Sequence, residues 1–212
     1  MLRSAEATVG RTHPALKGLS SPWPWIQIAG IHDLEEALLI HRCGVSYLGF
    51  PLALPVHRED CSAEQVARIT AALPQTARPV LITYLQEAER IIALAEQTGI
   101  RIIQLHGAIG RDALIALRHR CPDWFLIKSL IVGRDPVEVL EKQVSEFSPL
   151  VDAFITDSFD PASGAEGATG RVHDWTISRR LVQISPRPVI LAGGLRPENV
   201  ARAIRVVRPA GV

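Results

Sequence analysis

The sequence predicts an α/β domain folded as a TIM-type (β/α)8 barrel, and three observations predict it. From Trp25 onward, short apolar runs alternate with amphipathic stretches. The runs are rich in Val, Ile, Leu and Phe without polar alternation, as strands buried on both faces of a parallel sheet are. No glycine-rich dinucleotide fingerprint follows the first run, which favours a closed barrel over an open doubly wound sheet. The 212 residues suit one such domain over 25–212, preceded by an irregular leader over 1–24 that holds charges, prolines and glycines instead of an apolar signal segment.

The strand-like runs fall at 26–29, 46–50, 80–83, 102–105, 125–129, 153–156 and 189–192. Helical spacing predicts 33–43, with Leu34, Ala37 and Leu38 on one face and Gly44 as the stop. A helix over 63–72 follows Ser62, a residue suited to accept from the first free amides. The next covers 86–98 and ends at Gly99; another covers 111–120 and stops before Cys121-Pro122. Three more are expected over 137–147 after Asp135-Pro136, 176–184 after Asp174-Trp175, and 199–207 after Arg196-Pro197. Repeated strand–helix units call for right-handed crossovers and a parallel sheet. Seven units are countable, and the sequence reaches Gly211-Val212 where an eighth strand would begin. A barrel left open there would expose unpaired edges on its first and seventh strands.

Apolar residues make up 47% and charged residues 21%, enough for a large core. The net charge of +1 gives no general case for a nucleic-acid or membrane-surface partner. Cys43, Cys61 and Cys121 are odd in number and widely spaced, which favours a reducing cytoplasm over a disulfide framework or a structural metal site. Unpaired edges would leave homo-oligomer formation open.

Chemistry in a barrel gathers at the C-terminal ends of the strands. Read there in order, the sequence gives Gln104-Leu105-His106-Gly107, then Ile127-Lys128, then Thr156-Asp157-Ser158. Gly167-Ala168-Thr169-Gly170 follows, leading to His173-Asp174-Trp175, and the series ends in Leu191-Ala192-Gly193-Gly194-Leu195 and Pro197-Glu198-Asn199-Val200. This series, in this order and at this spacing, resembles that of the phosphoribosylanthranilate isomerases across nearly the whole chain after the leader.

The resemblance implies an Amadori rearrangement of an N-linked phosphoribosyl substrate in tryptophan biosynthesis, an aldose–ketose isomerisation needing no cofactor and no metal. A general acid protonates the ribose ring oxygen, and the ring opens to a Schiff base. A general base then removes the C2′ proton, giving an enolamine that tautomerises to the ketone. Asp157 matches the acid, which requires a carboxyl with a raised pKa; the structural alternative is a loop-capping aspartate. Thr169, Gly170, Gly193 and Gly194 match phosphate-binding positions, where glycine lets backbone amides approach an anion; the alternative is a set of tight turns. The stretch 164–170 reads as a lid over substrate. His106 and Lys128 are placed at the mouth as substrate contacts, with satisfied structural roles as their alternatives, and Gln104 reads as structural.

Two places depart from the family pattern. Its first strand ends in Lys-Ile-Cys-Gly with the cysteine as base, whereas this chain has Gln27-Ile28-Ala29-Gly30. A methyl group takes no proton, so His32, beside Asp33, is the nearest substitute base, unless the two simply cap the first helix. The loop after the second run lacks the family's Ser-Pro-Arg-Tyr. Arg58 is the candidate clamp for the anthranilate carboxylate, and His57 a further acid–base candidate. Two other functions stay open: a phosphosugar-binding paralogue without isomerisation, and a barrel lyase using Lys128 as a Schiff-base nucleophile.

Overall fold

The computed structural model describes residues 25–55, 59–162, 164–167, 170 and 172–212. The leader expected over 1–24 lies outside them. The chain runs β1 (Gln27–Ala29), α1 (Leu34–Arg42), β2 (Tyr47–Leu52), α2 (Ala63–Ala72), β3 (Arg78–Thr83) and α3 (Ala88–Thr98). It continues through β4 (Ile102–Leu105), α4 (Arg111–Arg120), β5 (Phe125–Val132), α5 (Val137–Phe147) and β6 (Ala153–Asp160). A short β7 (Ala165–Glu166), α6 (Trp175–Ile184), β8 (Val189–Leu191) and α7 (Val200–Val207) complete it.

Three helices begin at a side-chain cap. Asp33 accepts from the Glu36 amide at the start of α1, and Ser62 and Gln65 form a reciprocal capping box on α2. Asp174 accepts from the Thr176 amide at the start of α6. Gly99 closes α3 in the left-handed region at φ +70°, a conformation that a β-carbon would penalise.

Strands β1 to β6 pair in sequence order, all parallel, and β8 continues the sheet beside β6. Strand residues alternate between two cores, as a period of two requires. Val80, Ile82, Ile102, Ile127, Ile155 and Ile190 fill the barrel interior. Leu48, Phe50, Leu81, Leu105, Leu126 and Phe154 face the helices. At the start of the strands, Trp25 stacks on Tyr47 with ring centroids 3.9 Å apart and leans on Phe125 at 5.4 Å, forming an aromatic floor.

The open edge expected between the first and seventh barrel strands is filled. Ala210 N donates to Val189 O (2.8 Å), and Leu191 N donates to Gly211 O (2.9 Å). On the other side Val212 N donates to Trp25 O (2.7 Å), and Gln27 N donates to Val212 O (2.8 Å). Residues 210–212 thus act as a minimal eighth stave between β8 and β1. Three strands also run further than their expected ends: β2 reaches Leu52, β5 reaches Val132 and β6 reaches Asp160, the last two paired from Ile127↔Ala153 to Val132↔Ser158. β5 runs on through the apolar Leu130, Ile131 and Val132, and the polar Asp157, Ser158 and Asp160 hid the extension of β6. β7 folds back antiparallel on it, with Phe159 opposite Glu166.

Gly211 tests the closure. A β-carbon there would stand 2.4 Å from the Trp25 carbonyl oxygen and from its Cβ. Gly211→Ala should therefore lower stability by ~1–3 kcal/mol through overpacking, read as a lower urea midpoint. An unchanged midpoint would show that this stave does not hold the ring.

Candidate functional site

A cavity of 580 Å³ opens at the C-terminal ends of the strands, and its lining includes Ala29, Asp60, Tyr84, His106, Asp157 and Gly193. Its depth follows from the strand parity: the apolar interior ends at Ile82 and Ile155, and polar inward positions begin directly above.

Asp157 sits within the extended part of β6, opposite Ile131 of β5, with its side chain only 10% exposed. Burial raises its pKa from 3.8 to about 6, opposed by the Ser158 amide, which donates to Oδ1 at 2.7 Å, and by the Ser158 hydroxyl. Two glycines make room for the carboxyl. A β-carbon on Gly167 would fall 2.7 Å from Oδ2, and one on Gly193 would fall 3.1 Å from Oδ1. Both residues hold positive φ, +79° and +90°, so backbone strain and lack of space alike select glycine.

His106 faces the same carboxyl at 3.9 Å from Oδ2. Burial, reinforced by the Lys128 charge, lowers its pKa to about 3, so the imidazole is neutral and the contact is polar without being an ion pair. Its Nε2 lies 2.7 Å from the Gln104 amide nitrogen, and Gln27 Nε2 donates to Gln104 Oε1 at 2.8 Å. An amide nitrogen only donates, so this chain assigns the lone pair to Nε2 and the proton to Nδ1. The ring is thereby held at Nε2, while its buried Nδ1 has no hydrogen-bond partner among the described residues. His173, which sequence reasoning did not single out, borders the seat from the other side. Its Nε2 is 2.6 Å from Ser178 Oγ, burial lowers its pKa to about 4, and its Nδ1 approaches the Gly193 position.

Gly170, Gly193 and Gly194 all border the cavity with positive φ values of +66°, +90° and +63°. Asn199, at the N-cap of α7, donates to Gly194 O (3.0 Å) and accepts from Arg196 N (2.8 Å). Its side chain braces the loop and makes no cap bond to the helix. The arrangement offers glycine backbone beside a helix start, a geometry suited to an anion.

Other expected site residues lie elsewhere. Lys128 follows the inward Ile127 and so faces away from the barrel interior; its ammonium donates to Gly107 O (3.2 Å) and Ser129 O (3.0 Å), off the cavity lining. A Schiff-base role would need that group in the cavity. His32 also stands off the lining. Its amide donates to Glu36 Oε2 at 2.8 Å, its Nδ1 lies 3.0 Å from the same oxygen, and Glu36 foremost raises its pKa. With Asp33 capping α1, this segment is built as a helix start. Arg58, His57 and Thr169 lie outside the described residues. Within the stretch 164–170, residues 164–167 form part of the β6–β7 hairpin, with Gly167 N donating to Ser158 O at 2.8 Å. Asp60 was missed because it ends no apolar strand run; Tyr84 follows the run 80–83 directly but belongs to no motif of the series, and its ring lies against His106 with centroids 5.3 Å apart.

A family profile described as N-(5′-phosphoribosyl)anthranilate (PRA) isomerase matches residues 26–212. N-(5′-phosphoribosyl)anthranilate isomerase 2 of Methanosarcina mazei is 40% identical over 189 residues, 88% of this chain and 82% of that protein. The isomerase of Haloferax volcanii is 31% identical over 192 residues, 88% of this chain and 80% of its own. The solved phosphoribosylanthranilate isomerase of Thermotoga maritima superposes with a TM-score of 0.75 at 28% identity, covering 90% of this chain and 86% of that one. A solved isomerase in complex with reduced 1-(o-carboxyphenylamino)-1-deoxyribulose 5-phosphate gives 0.72 at 27% identity, covering 90% and 86%.

The raised pKa of Asp157 carries a stability cost with a definite sign. Between 3.8 and about 6 the folded chain holds a proton that the unfolded chain has lost. Stability from this group is therefore full below the lower value and is lost as pH rises through the upper one. Asp157→Asn should unfold at higher urea than the parent at neutral pH, by ~1–3 kcal/mol, with the gap closing in acid. Equal midpoints at every pH would contradict the burial argument.

Proposed function

The chain belongs to the N-(5′-phosphoribosyl)anthranilate isomerase family, and we propose that its cavity performs the family's Amadori rearrangement, with Asp157 as general acid. One observation carries the assignment of roles: a buried carboxyl with a pKa near 6 shares a cavity with three left-handed glycines, Gly193 and Gly194 ahead of α7 and Gly170 ahead of α6. The first can give up a proton near neutral pH, and the second can seat a phosphate.

Asp157 donates its proton to the ribose ring oxygen. The C1′–O4′ bond breaks as the nitrogen lone pair forms the C1′=N bond. The neutral His106, held by Gln104 and Gln27, keeps positive charge away from the carboxyl, which would otherwise lose its proton too readily. Removal of the C2′ proton moves electrons into C1′=C2′, and tautomerisation gives the ketone. The oxidation level shifts from one carbon to its neighbour, so the substrate supplies both halves of the redox change. Gly170, Gly193, Gly194 and the family-matched Thr169 are assigned to the phosphate, and Arg58 to the anthranilate carboxylate. The relative holding a carboxyphenylamino deoxyribulose phosphate supports a ligand with both anionic ends. The three free, widely spaced thiols are in keeping with a cytoplasmic setting.

Turnover of phosphoribosylanthranilate, followed by loss of its fluorescence on full-length protein, tests this directly. Asp157→Asn should lower kcat by ~10²–10⁴-fold, while inorganic phosphate still raises its melting temperature. Turnover undiminished in the variant would remove Asp157 from the chemistry.

A further inference from the structure

The rearrangement needs a second group, one that takes a proton from carbon, and this inference rests on the reading above. Ala29 ends β1 with a methyl group. Besides Asp157, the described titratable side chains bordering the cavity are Asp60, Tyr84 and His106. The His106 Nε2 lone pair is occupied by the Gln104 amide, and its Nδ1 carries the ring proton. A phenol accepts a proton only after losing its own. That leaves the carboxylate of Asp60.

Its position is built. Asp60 lies in the connection between β2 and α2, and both of its neighbours are tied down. Glu59 Oε1 accepts from the Ala53 amide at 2.5 Å. The buried Cys61 thiol donates to the His32 carbonyl at 2.8 Å. Burial foremost, and then the Asp60 charge, raises the Cys61 pKa, which keeps that thiol protonated as a donor. Asp60 Oδ2 stands 3.8 Å from where a β-carbon of Gly30 would sit, so the carboxylate overhangs the turn that leaves β1 beside Ala29. On its outer side, His32 Nε2 lies 3.6 Å from Oδ1, and the same ring is held at Nδ1 by Glu36 at 3.0 Å. Around the ring, β8 and the 210–212 stave separate β1 from β6, so Asp60 and Asp157 approach the cavity from separate arcs.

We propose that Asp60 is the general base of this site, taking the C2′ proton after Asp157 has opened the ring. The C2′–H electrons form the C1′=C2′ bond, the C1′=N π electrons return to nitrogen, and the proton passes to the Asp60 carboxylate. His32, backed by Glu36, is a positioning residue that restrains the carboxylate without contacting substrate. The role that the sequence suggested for His32 passes to the acid it holds.

The test compares full-length wild type with Asp60→Asn, Asp60→Glu, Asp60→Ser and His32→Ala, using phosphoribosylanthranilate with and without deuterium at C2′. Asp60→Asn and Asp60→Ser should each lower kcat by ~10²–10⁴-fold with KM changed only a few-fold. Both should enlarge the C2′ isotope effect as proton removal becomes slower. Asp60→Glu should recover part of the rate, and His32→Ala should lower kcat several-fold while KM holds. Melting temperatures near wild type for either neutral variant identify the loss as chemical. If both neutral variants turn over within a few-fold of wild type while Asp157→Asn does not, Asp60 is not the base and the isomerase reading stands. Absence of turnover in wild type removes both.

Discussion

The site depends on keeping one carboxyl dry. Asp157 is carried on a strand that continues past the apolar barrel interior, and its two oxygens are enclosed by glycine backbone at Gly167 and Gly193. In water that group would ionise near 3.8; in this seat it does so near 6. The Ser158 amide pulls the value down and burial pushes it up, and burial wins because neither flanking imidazole carries charge at neutral pH. A protonated His106 or His173 beside the carboxyl would reverse the balance. The surroundings are therefore as much a part of the acid as the aspartate itself.

Strand parity decides what can reach the substrate. Inward positions from Val80 to Ile190 seal the barrel below, and the same alternation sends Lys128 outward onto the carbonyls of Gly107 and Ser129. A lysine at the end of a barrel strand looks like an electrophile binder in one dimension. One residue of phase makes it a brace for the β4–α4 turn. Gly107 takes part in that brace: a β-carbon there would sit 2.3 Å from the Tyr84 carbonyl, so the turn closes only around glycine.

Most of the barrel was legible because local signals agreed. Ser62 with Gln65, Asp174 before Trp175, and Gly99 after Thr98 each mark a helix boundary by a bond or a dihedral that those residue types favour. The extension of β6 to Asp160 was hidden, since Asp157, Ser158 and Asp160 are poor strand formers in isolation and pair only because β5 lies alongside. The closing stave was equally opaque: three residues carry no periodicity, and their bonds to Trp25 and Gln27 join positions almost the whole chain apart. Within the site, Asp157 and the glycines were readable from motif order. Asp60 was not, because its claim rests on what holds Glu59 and Cys61, which no local pattern records. His32 illustrates the reverse case, a residue adjacent in sequence to the β1 end but bound to the helix that follows.

The proposed chemistry depends most directly on the ionisation of Asp157 in the folded chain. Carbon-detected NMR of labelled side-chain carboxyls, titrated with pH on the intact protein, reads it without substrate. A midpoint near 6 for Asp157 is what burial between two glycines and two neutral imidazoles requires. A midpoint near 3.8, the ordinary value, would mean that water or a cation reaches the carboxyl, and that it is already ionised when a ring oxygen needs its proton.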